Sequence, residues 1–247
     1  MVDSAVAVSE DGIRLAGFQD RVAVVTGAGR GIGARIAALI EAQGGRVAAL
    51  DQDVSSAPGA LAISCDVSDV DAVARAFRRI RAELGEPAVL VNNAGIYRQQ
   101  AFEDLTLEEW DRTMAVNLRA AFLTSREVLP AMRHAGYGRL LAISSTAGKT
   151  GGWAPAGAYA ASKAGLMGLA KTLAREYAQY GITSNVIAPT NIDTPMISPP
   201  PGFGDSIPVG RLGTPLDVAT MALYLCSAHA GYITGEVIDL AGGTFID

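Results

Sequence analysis

Tyr159 and Lys163 stand four apart in the run Tyr-Ala-Ala-Ser-Lys, and on a helix that spacing turns both side chains the same way. A phenol, with a reference pKa of about 10, is a poor proton acceptor near neutrality. An ammonium held beside it favours the phenolate and lowers that value, which makes the pair a candidate acid/base unit. The spacing is also common on surface helices, so its meaning depends on what accompanies it. Far upstream, residues 26–33 read Thr-Gly-Ala-Gly-Arg-Gly-Ile-Gly. Glycines at 27, 31 and 33 let a backbone turn tightly and approach a pyrophosphate, and a helix that follows would offer free N–H groups and a positive dipole end. Gly27, Arg30, Gly31, Ile32 and Gly33 are therefore candidate dinucleotide contacts.

Asp51 stands eighteen residues past Gly33, near the spacing at which an acid reads the adenosine ribose. A carboxylate there accepts from a 2′-hydroxyl and repels a 2′-phosphate. Arg30 pulls the other way. A carboxylate facing a doubly charged phosphate costs more than one exposed arginine returns, so NAD is expected ahead of NADP.

The elements that must hold these residues alternate. Strands are expected at Arg21–Thr26, Arg46–Leu50, Ala60–Ser64, Ala88–Val91, Arg139–Ser145, Ser184–Ala188 and Val237–Leu240. Helices are expected from about Gly31 to Gln43, Val70 to Leu84, Thr106 to Arg133 with Thr106 as N-cap, Ala158 to Tyr180 ending at Gly181, and Leu216 to Cys226. Such alternation implies right-handed crossovers and an α/β Rossmann fold: one doubly wound parallel sheet of about seven strands with helices on both faces. One domain, residues 19–247, would follow an N-terminal extension, residues 1–18. Asp193–Pro215 is rich in proline and glycine and reads as a loop long enough to be a binding element.

Composition narrows the classes. Hydrophobic residues make up 49% and charged residues 18% of 247, enough for a substantial core. A net charge of -5 argues against a nucleic-acid surface. Two cysteines, Cys65 and Cys226, lie far apart, so no zinc site or disulfide framework is expected and both read as reduced core thiols. No apolar run reaches about 18 residues, and the first seventeen residues lack a basic start followed by an apolar core. A cytoplasmic protein without a membrane partner is expected. His134 and His229 fit helix-ending or solvated positions.

Taken together, the glycine turn, Asp66-Val67, Asn92-Asn93-Ala94-Gly95, Asn117, Ser145 and Tyr-Ala-Ala-Ser-Lys appear in order. They resemble the short-chain dehydrogenase/reductase family, from about Gln19 to Asp247. The stretch Pro208–Pro215, Tyr232–Gly235 and Gly242-Gly243 is similar to that family too. The resemblance implies roles. Tyr159 would be the general acid/base. Lys163 would lower its pKa and hold the nicotinamide ribose. Ser145 would bond the substrate oxygen, with Ser144 and Thr146 as neighbours that could compete. Asn117 would join a proton relay near Lys163. Asp66 and Val67 would flank the adenine, Asn93, Ala94 and Gly95 the adenosine side, and Pro189, Ile192 and Thr194 the nicotinamide. The resemblance also implies a homotetramer, with the small face Ala160, Ala161, Ala164, Gly165 and Gly168 fitting either a subunit contact or internal packing.

Three departures from the family pattern stand out. Thr190 replaces a usual glycine, the chain between Asp51 and Asp66 is too short for the usual crossover helix, and Thr194–Pro208 is short and proline-rich. Trp153 reads as substrate contact or as packing, and Tyr97, Met196 and Phe203 as further pocket candidates. The expected activity is hydride transfer between NAD and a small secondary alcohol or ketone. Its alternatives are an NADPH-dependent 3-oxoacyl-thioester reductase and a non-catalytic dinucleotide-binding regulator.

Overall fold

A computed structural model describes residues 8–9, 12–13, 15–196 and 202–246. Most of the proposed extension, residues 197–201 of the proline-rich segment, and Asp247 lie outside the described residues. A short antiparallel ribbon, β1 (Val8–Ser9) and β2 (Gly12–Ile13), precedes the main sheet.

Seven parallel strands form that sheet: β3 (Val22–Thr26), β4 (Arg46–Asp51), β5 (Leu61–Ser64), β6 (Pro87–Asn92), β7 (Gly138–Ile143), β8 (Ile182–Pro189) and β9 (Val237–Leu240), in the order β5-β4-β3-β6-β7-β8-β9. Every residue of β3, β7 and β8 is buried. Strands covered on both faces read as continuous apolar runs rather than alternating ones, which is why Val-Ala-Val-Val and Arg-Leu-Leu-Ala-Ile were recognisable.

Helices α1 (Gly31–Ala42) and α7 (Pro215–Cys226) cover one face, where Phe18, Ile36, Ile40, Val218 and Cys226 pack on Val25, Val91 and Leu141. The other face carries α2 (Val70–Glu83), α4 (Ala120–Ala135) and α6 (Gly157–Tyr177), which bury Phe77, Ile80, Val128, Met132, Leu166 and Ala170, with the one-turn α5 (Ala147–Thr150) packed against α6. Cys65 and Cys226 are both buried, and burial pushes their thiols up to about 11 and about 12. Among the described residues, no helix is long and apolar enough to cross a membrane.

The stretch expected as one helix from Thr106 to Arg133 is three pieces. Thr106 does cap α3 (Leu107–Met114), accepting from the Glu109 N–H at 3.2 Å. Residues Ala115–Arg119 then widen into a π-helical turn before α4. Such turns cluster at functional sites, and this one holds Asn117. No helix joins β4 to β5; the chain crosses in turns over residues 52–60. Among its described residues the proline-rich segment contains one short 3-10 turn, Phe203–Ser206, and a bridge between Ile192 and Gly213 pins it. The departure at Thr190 has a simple outcome. Thr190 donates its N–H to Leu240 at 3.1 Å, and the left-handed conformation falls instead on Asn191, φ 54°, a residue type that tolerates it.

Candidate active site

Strand order reverses between β3 and β6, so their carboxyl ends part and leave a crevice, the usual place for a ligand in such a sheet. Asn93 holds the two sides together. Its side-chain amide donates to the carbonyls of Thr26 (3.0 Å) and Gly27 (2.9 Å). The Thr26 hydroxyl in turn accepts from the backbone N–H groups of Asn93 and Ala94, both at 3.0 Å. Helix α1 opens onto this crevice. Helices α2, α3 and α7 are capped by Asp69, Thr106 and Thr214, yet among the described residues no side chain caps α1 and its first turn carries no acid. Free N–H groups at a dipole's positive end suit an anion. Gly33 lets the helix close on the turn, since a methyl there would meet the Gly27 carbonyl at 2.2 Å.

Asp51, at the end of β4, is held in place by two backbone donors. Its carboxylate accepts from Gly29 N–H at 2.9 Å and from Asp53 N–H at 3.3 Å. A cavity of about 470 Å³ runs from this carboxylate across the crevice, lined by Gly27, Arg30, Gly31, Ile32, Asp51, Asp66, Val67, Asn93, Ala94, Gly95 and Thr194. The open helix end, the glycine cradle and the carboxylate at one extremity together fit a dinucleotide. Asp66 keeps its shape through hydrogen bonds from the Ser68 hydroxyl and N–H (2.7 and 2.9 Å), which also hold its carboxyl below the usual range. Gly33, Pro189 and Ile192 stand behind the wall: Pro189 closes β8, and Ile192 is buried. Gln52, Ser68, Arg112 and Val116 also line the cavity and were not singled out from the sequence. Arg112 and Val116 lie four apart, one turn before Asn117, and that spacing was the available signal.

Beyond the crevice, the four candidate catalytic side chains converge. Ser145 follows β7, where its side chain favours the charged form of the Tyr159 phenol, and its hydroxyl accepts from Ala147 N–H at 3.2 Å. Ser144 is turned the other way, its hydroxyl donating to the Lys163 carbonyl at 2.8 Å. Lys163 is buried and donates from Nζ to the Ile143 carbonyl at 2.8 Å. Its Nζ lies 5.6 Å from the Tyr159 ring centre. Asn117 is 2% exposed. Its Oδ1 accepts from Ile96 N–H (2.8 Å), and its Nδ2 donates to the Ile96 carbonyl and to Ser162 Oγ, both at 3.0 Å. A methyl on Gly95 would stand 3.3 Å from Lys163 Nζ and 3.4 Å from Asn117 Oδ1, so only glycine keeps that space free.

The titration directions differ from the simple expectation. Burial pushes the Lys163 amine down to about 8. Burial also raises Tyr159, against the lowering effect of Ser145. Desolvation is the largest cause for both groups. Trp153 is 83% exposed, so packing within the subunit does not account for it. Within the small face of α6, Gly165 serves the subunit itself, since a methyl there would strike Leu118 at 2.6 Å, whereas Gly168 faces open space.

A short-chain dehydrogenase/reductase family model, described as enoyl-(acyl carrier protein) reductase, matches residues 27–244. The 3-oxoacyl-[acyl-carrier-protein] reductase FabG of Escherichia coli (strain K12) is 39% identical over 245 residues, covering 93% of this chain and 99% of the relative. The chain belongs to the short-chain dehydrogenase/reductase family. Two solved structures superpose closely. The 3-ketoacyl-(acyl-carrier-protein) reductase from Brucella melitensis, complexed with NADH, has a TM-score of 0.87 at 33% identity and covers 93% of this chain and 100% of its own. The Thermoplasma acidophilum aldohexose dehydrogenase in ligand-free form has a TM-score of 0.84 at 33% identity and covers 92% and 96%. As a short-chain dehydrogenase/reductase, the chain is a nicotinamide-dependent oxidoreductase acting on CH–OH groups.

Proposed function

We propose that this enzyme uses NAD to interconvert a compact secondary alcohol and its ketone, with Tyr159 as general acid/base. The observation that carries the cofactor choice is the Asp51 carboxylate, fixed by Gly29 and Asp53 N–H groups at one end of the cavity. There it accepts from ribose hydroxyls and opposes a 2′-phosphate. The bound nicotinamide supplies or accepts the hydride. Ser145 donates a hydrogen bond to the substrate oxygen, keeping its own proton, and stabilises the charge that develops there. In reduction Tyr159 delivers its phenolic proton to that oxygen; in oxidation it takes the proton back. Lys163 is assigned to the ribose hydroxyls and to stabilising the phenolate. Asn117 is assigned to holding the segment on which the proton path rests.

A second reading, NADPH-dependent reduction of a 3-oxoacyl thioester, is favoured by the relative from Escherichia coli. Local charge favours the first. The segment carrying the acids Glu103 and Asp104 lies along the entrance of α6: Gln100 N–H donates to Pro155 at 2.8 Å, and Phe102 packs on Gly157. With a net charge of -5, this rim repels an acidic carrier protein. The aldohexose dehydrogenase supports the compact-substrate reading. The homotetramer implied by the family belongs to the same proposal, with the exposed Ala164 and Gly168 on a subunit contact; light scattering gives the mass.

The deciding experiment is a fluorescence titration of NADH against NADPH, with Asp51→Ala beside the wild type. Tighter NADH, with the gap closing in the variant, supports the reading. Tighter NADPH in the wild type overturns the NAD assignment and favours the thioester reductase.

A further inference from the structure

Tyr97 follows the Asn-Asn-Ala-Gly-Ile run and is held from both sides. Its predecessor Ile96 has both backbone groups bound by the Asn117 side chain, at 2.8 and 3.0 Å. Its successor Arg98 is ion-paired with Glu109 of α3. Between these tethers the Tyr97 ring stands edge-to-face with the Tyr159 ring, centroids 5.0 Å apart at 81°, a favoured aromatic geometry. Tyr97 is half-buried and lines the cavity together with Thr194, Pro195 and Met196.

Resting on the function proposed above, we infer that Tyr97 is the specificity-determining residue of this site, a fixed aromatic wall beside the reacting tyrosine that selects a compact, ring-shaped ketone or alcohol over an extended acyl chain. Tyr97 and Met196 both line the cavity, and the Tyr97 ring stands against that of Tyr159, so a substrate that reaches the phenol passes beside Tyr97. A flexible wall would yield to a long chain. Tyr97 is held by the buried Asn117 bonds to Ile96 and by its own ring contact with Tyr159, while the exposed Arg98–Glu109 pair adds little. Its flat apolar face offers contact to a saturated or aromatic ring at little cost in side-chain entropy, since tyrosine has only two torsions to fix. A linear 3-oxoacyl thioester, whose reacting carbonyl must reach Tyr159 while its chain extends away on both sides, meets the ring instead.

The test is a ratio of kcat/KM values with NADH, cyclohexanone against acetoacetyl-CoA, in wild type, Tyr97→Phe and Tyr97→Ala. Phenylalanine keeps the wall, so the ratio stays within about twofold. Alanine opens it, and the ratio falls by about tenfold or more through loss on cyclohexanone and gain on the thioester. NADH affinity, read by fluorescence, stays at the wild-type value in both. If both substrates change by one common factor in Tyr97→Ala, the residue only packs against Tyr159 and the proposal is wrong. Tyr97→Leu, which keeps bulk but loses the flat ring, carries the same test if the alanine variant does not fold. A wild type that prefers acetoacetyl-CoA would remove the compact-substrate function. A ratio that still moves in Tyr97→Ala would then keep Tyr97 as the determinant, and one that does not would remove that as well.

Discussion

The amide of Asn117 and the hydroxyl of Ser162 meet at 3.0 Å, with both residues all but closed to solvent. Ser162 passes the link on, donating to the Tyr159 carbonyl at 2.7 Å. Through Ile96 the same asparagine also fixes the loop that carries Tyr97. The π-helical turn at Ala115–Arg119 thus grips the candidate acid/base from its own helix and from the opposite wall. Asn117→Ala would leave both backbone groups of Ile96 without their buried partner, at about 2–3 kcal/mol. Ser162→Ala removes two bonds, but Asn117 Nδ2 keeps the Ile96 carbonyl as its partner, so the cost is about 1 kcal/mol. The expected order in chemical denaturation is therefore Asn117→Ala well below Ser162→Ala, with turnover falling in the same order. Equal losses would mean that the Ile96 clamp contributes nothing.

Much of this was legible because its causes are local. Continuous apolar runs marked buried parallel strands, and glycines at 27, 31 and 33 marked a turn that side chains would obstruct. Asp51 was legible through its spacing. The π-helical turn was not, because it adds a single residue to a helical period over a long stretch, too small a phase change to see. Arg112 was missed because a charged residue on an amphipathic helix looks like a solvated face, and Val116 because an apolar one looks like core; only the tertiary fold turns them toward the cavity. The titration of Lys163 depends on desolvation, which spacing to Tyr159 does not report. Thr190 drew attention as the unusual residue, yet the backbone moves the left-handed conformation to Asn191.

Gly29 and Asp51 form a second dependency. A methyl on Gly29 would stand 2.2 Å from the Asp53 carbonyl and 3.0 Å from Asp51 Oδ2. The first contact is with backbone, so the turn itself must shift. Gly29→Ala is expected to lower stability by about 1–3 kcal/mol and to weaken NADH binding by about tenfold through displacement of the carboxylate. Asp51→Ala should weaken NADH without that stability loss. Calorimetric titration beside thermal melts separates the two; a Gly29→Ala protein with normal NADH affinity would show that Asp51 need not be held.

Arg139 stands at the opposite end of the sheet and is 4% exposed. Its guanidinium donates to the Ser227 carbonyl past α7 (2.9 Å), to the Gly181 carbonyl past the end of α6 (3.2 Å) and to Gly138 (2.8 Å), and it stacks on Tyr137 at 4.3 Å. Two chain ends that carry negative dipole character thus share one cation, and burial pulls its pKa down. Arg139→Met is expected to cost about 2–4 kcal/mol of stability. The cavity is at the far ends of the strands, so kcat/KM should stay within about twofold. A large kinetic defect at normal stability would contradict this separation.

Lys163 carries the sharpest pH dependence. Its amine falls from 10.5 to about 8 because it is desolvated. Between those values the unfolded chain binds more protons than the folded one, so wild-type stability rises with pH across that window. Below it, burying the charge costs on the order of 3 kcal/mol, partly offset by about 1 kcal/mol from the bond to the Ile143 carbonyl. Lys163→Met should therefore abolish turnover and yet stabilise the cofactor-free protein by about 2 kcal/mol at pH 7. The gain should shrink as pH rises through 8 and be gone by about 10.5. Urea denaturation of both proteins across that range measures the difference directly. A gap that stays constant with pH would show that the lysine is not buried as a charged group, and that the strain at this site lies elsewhere.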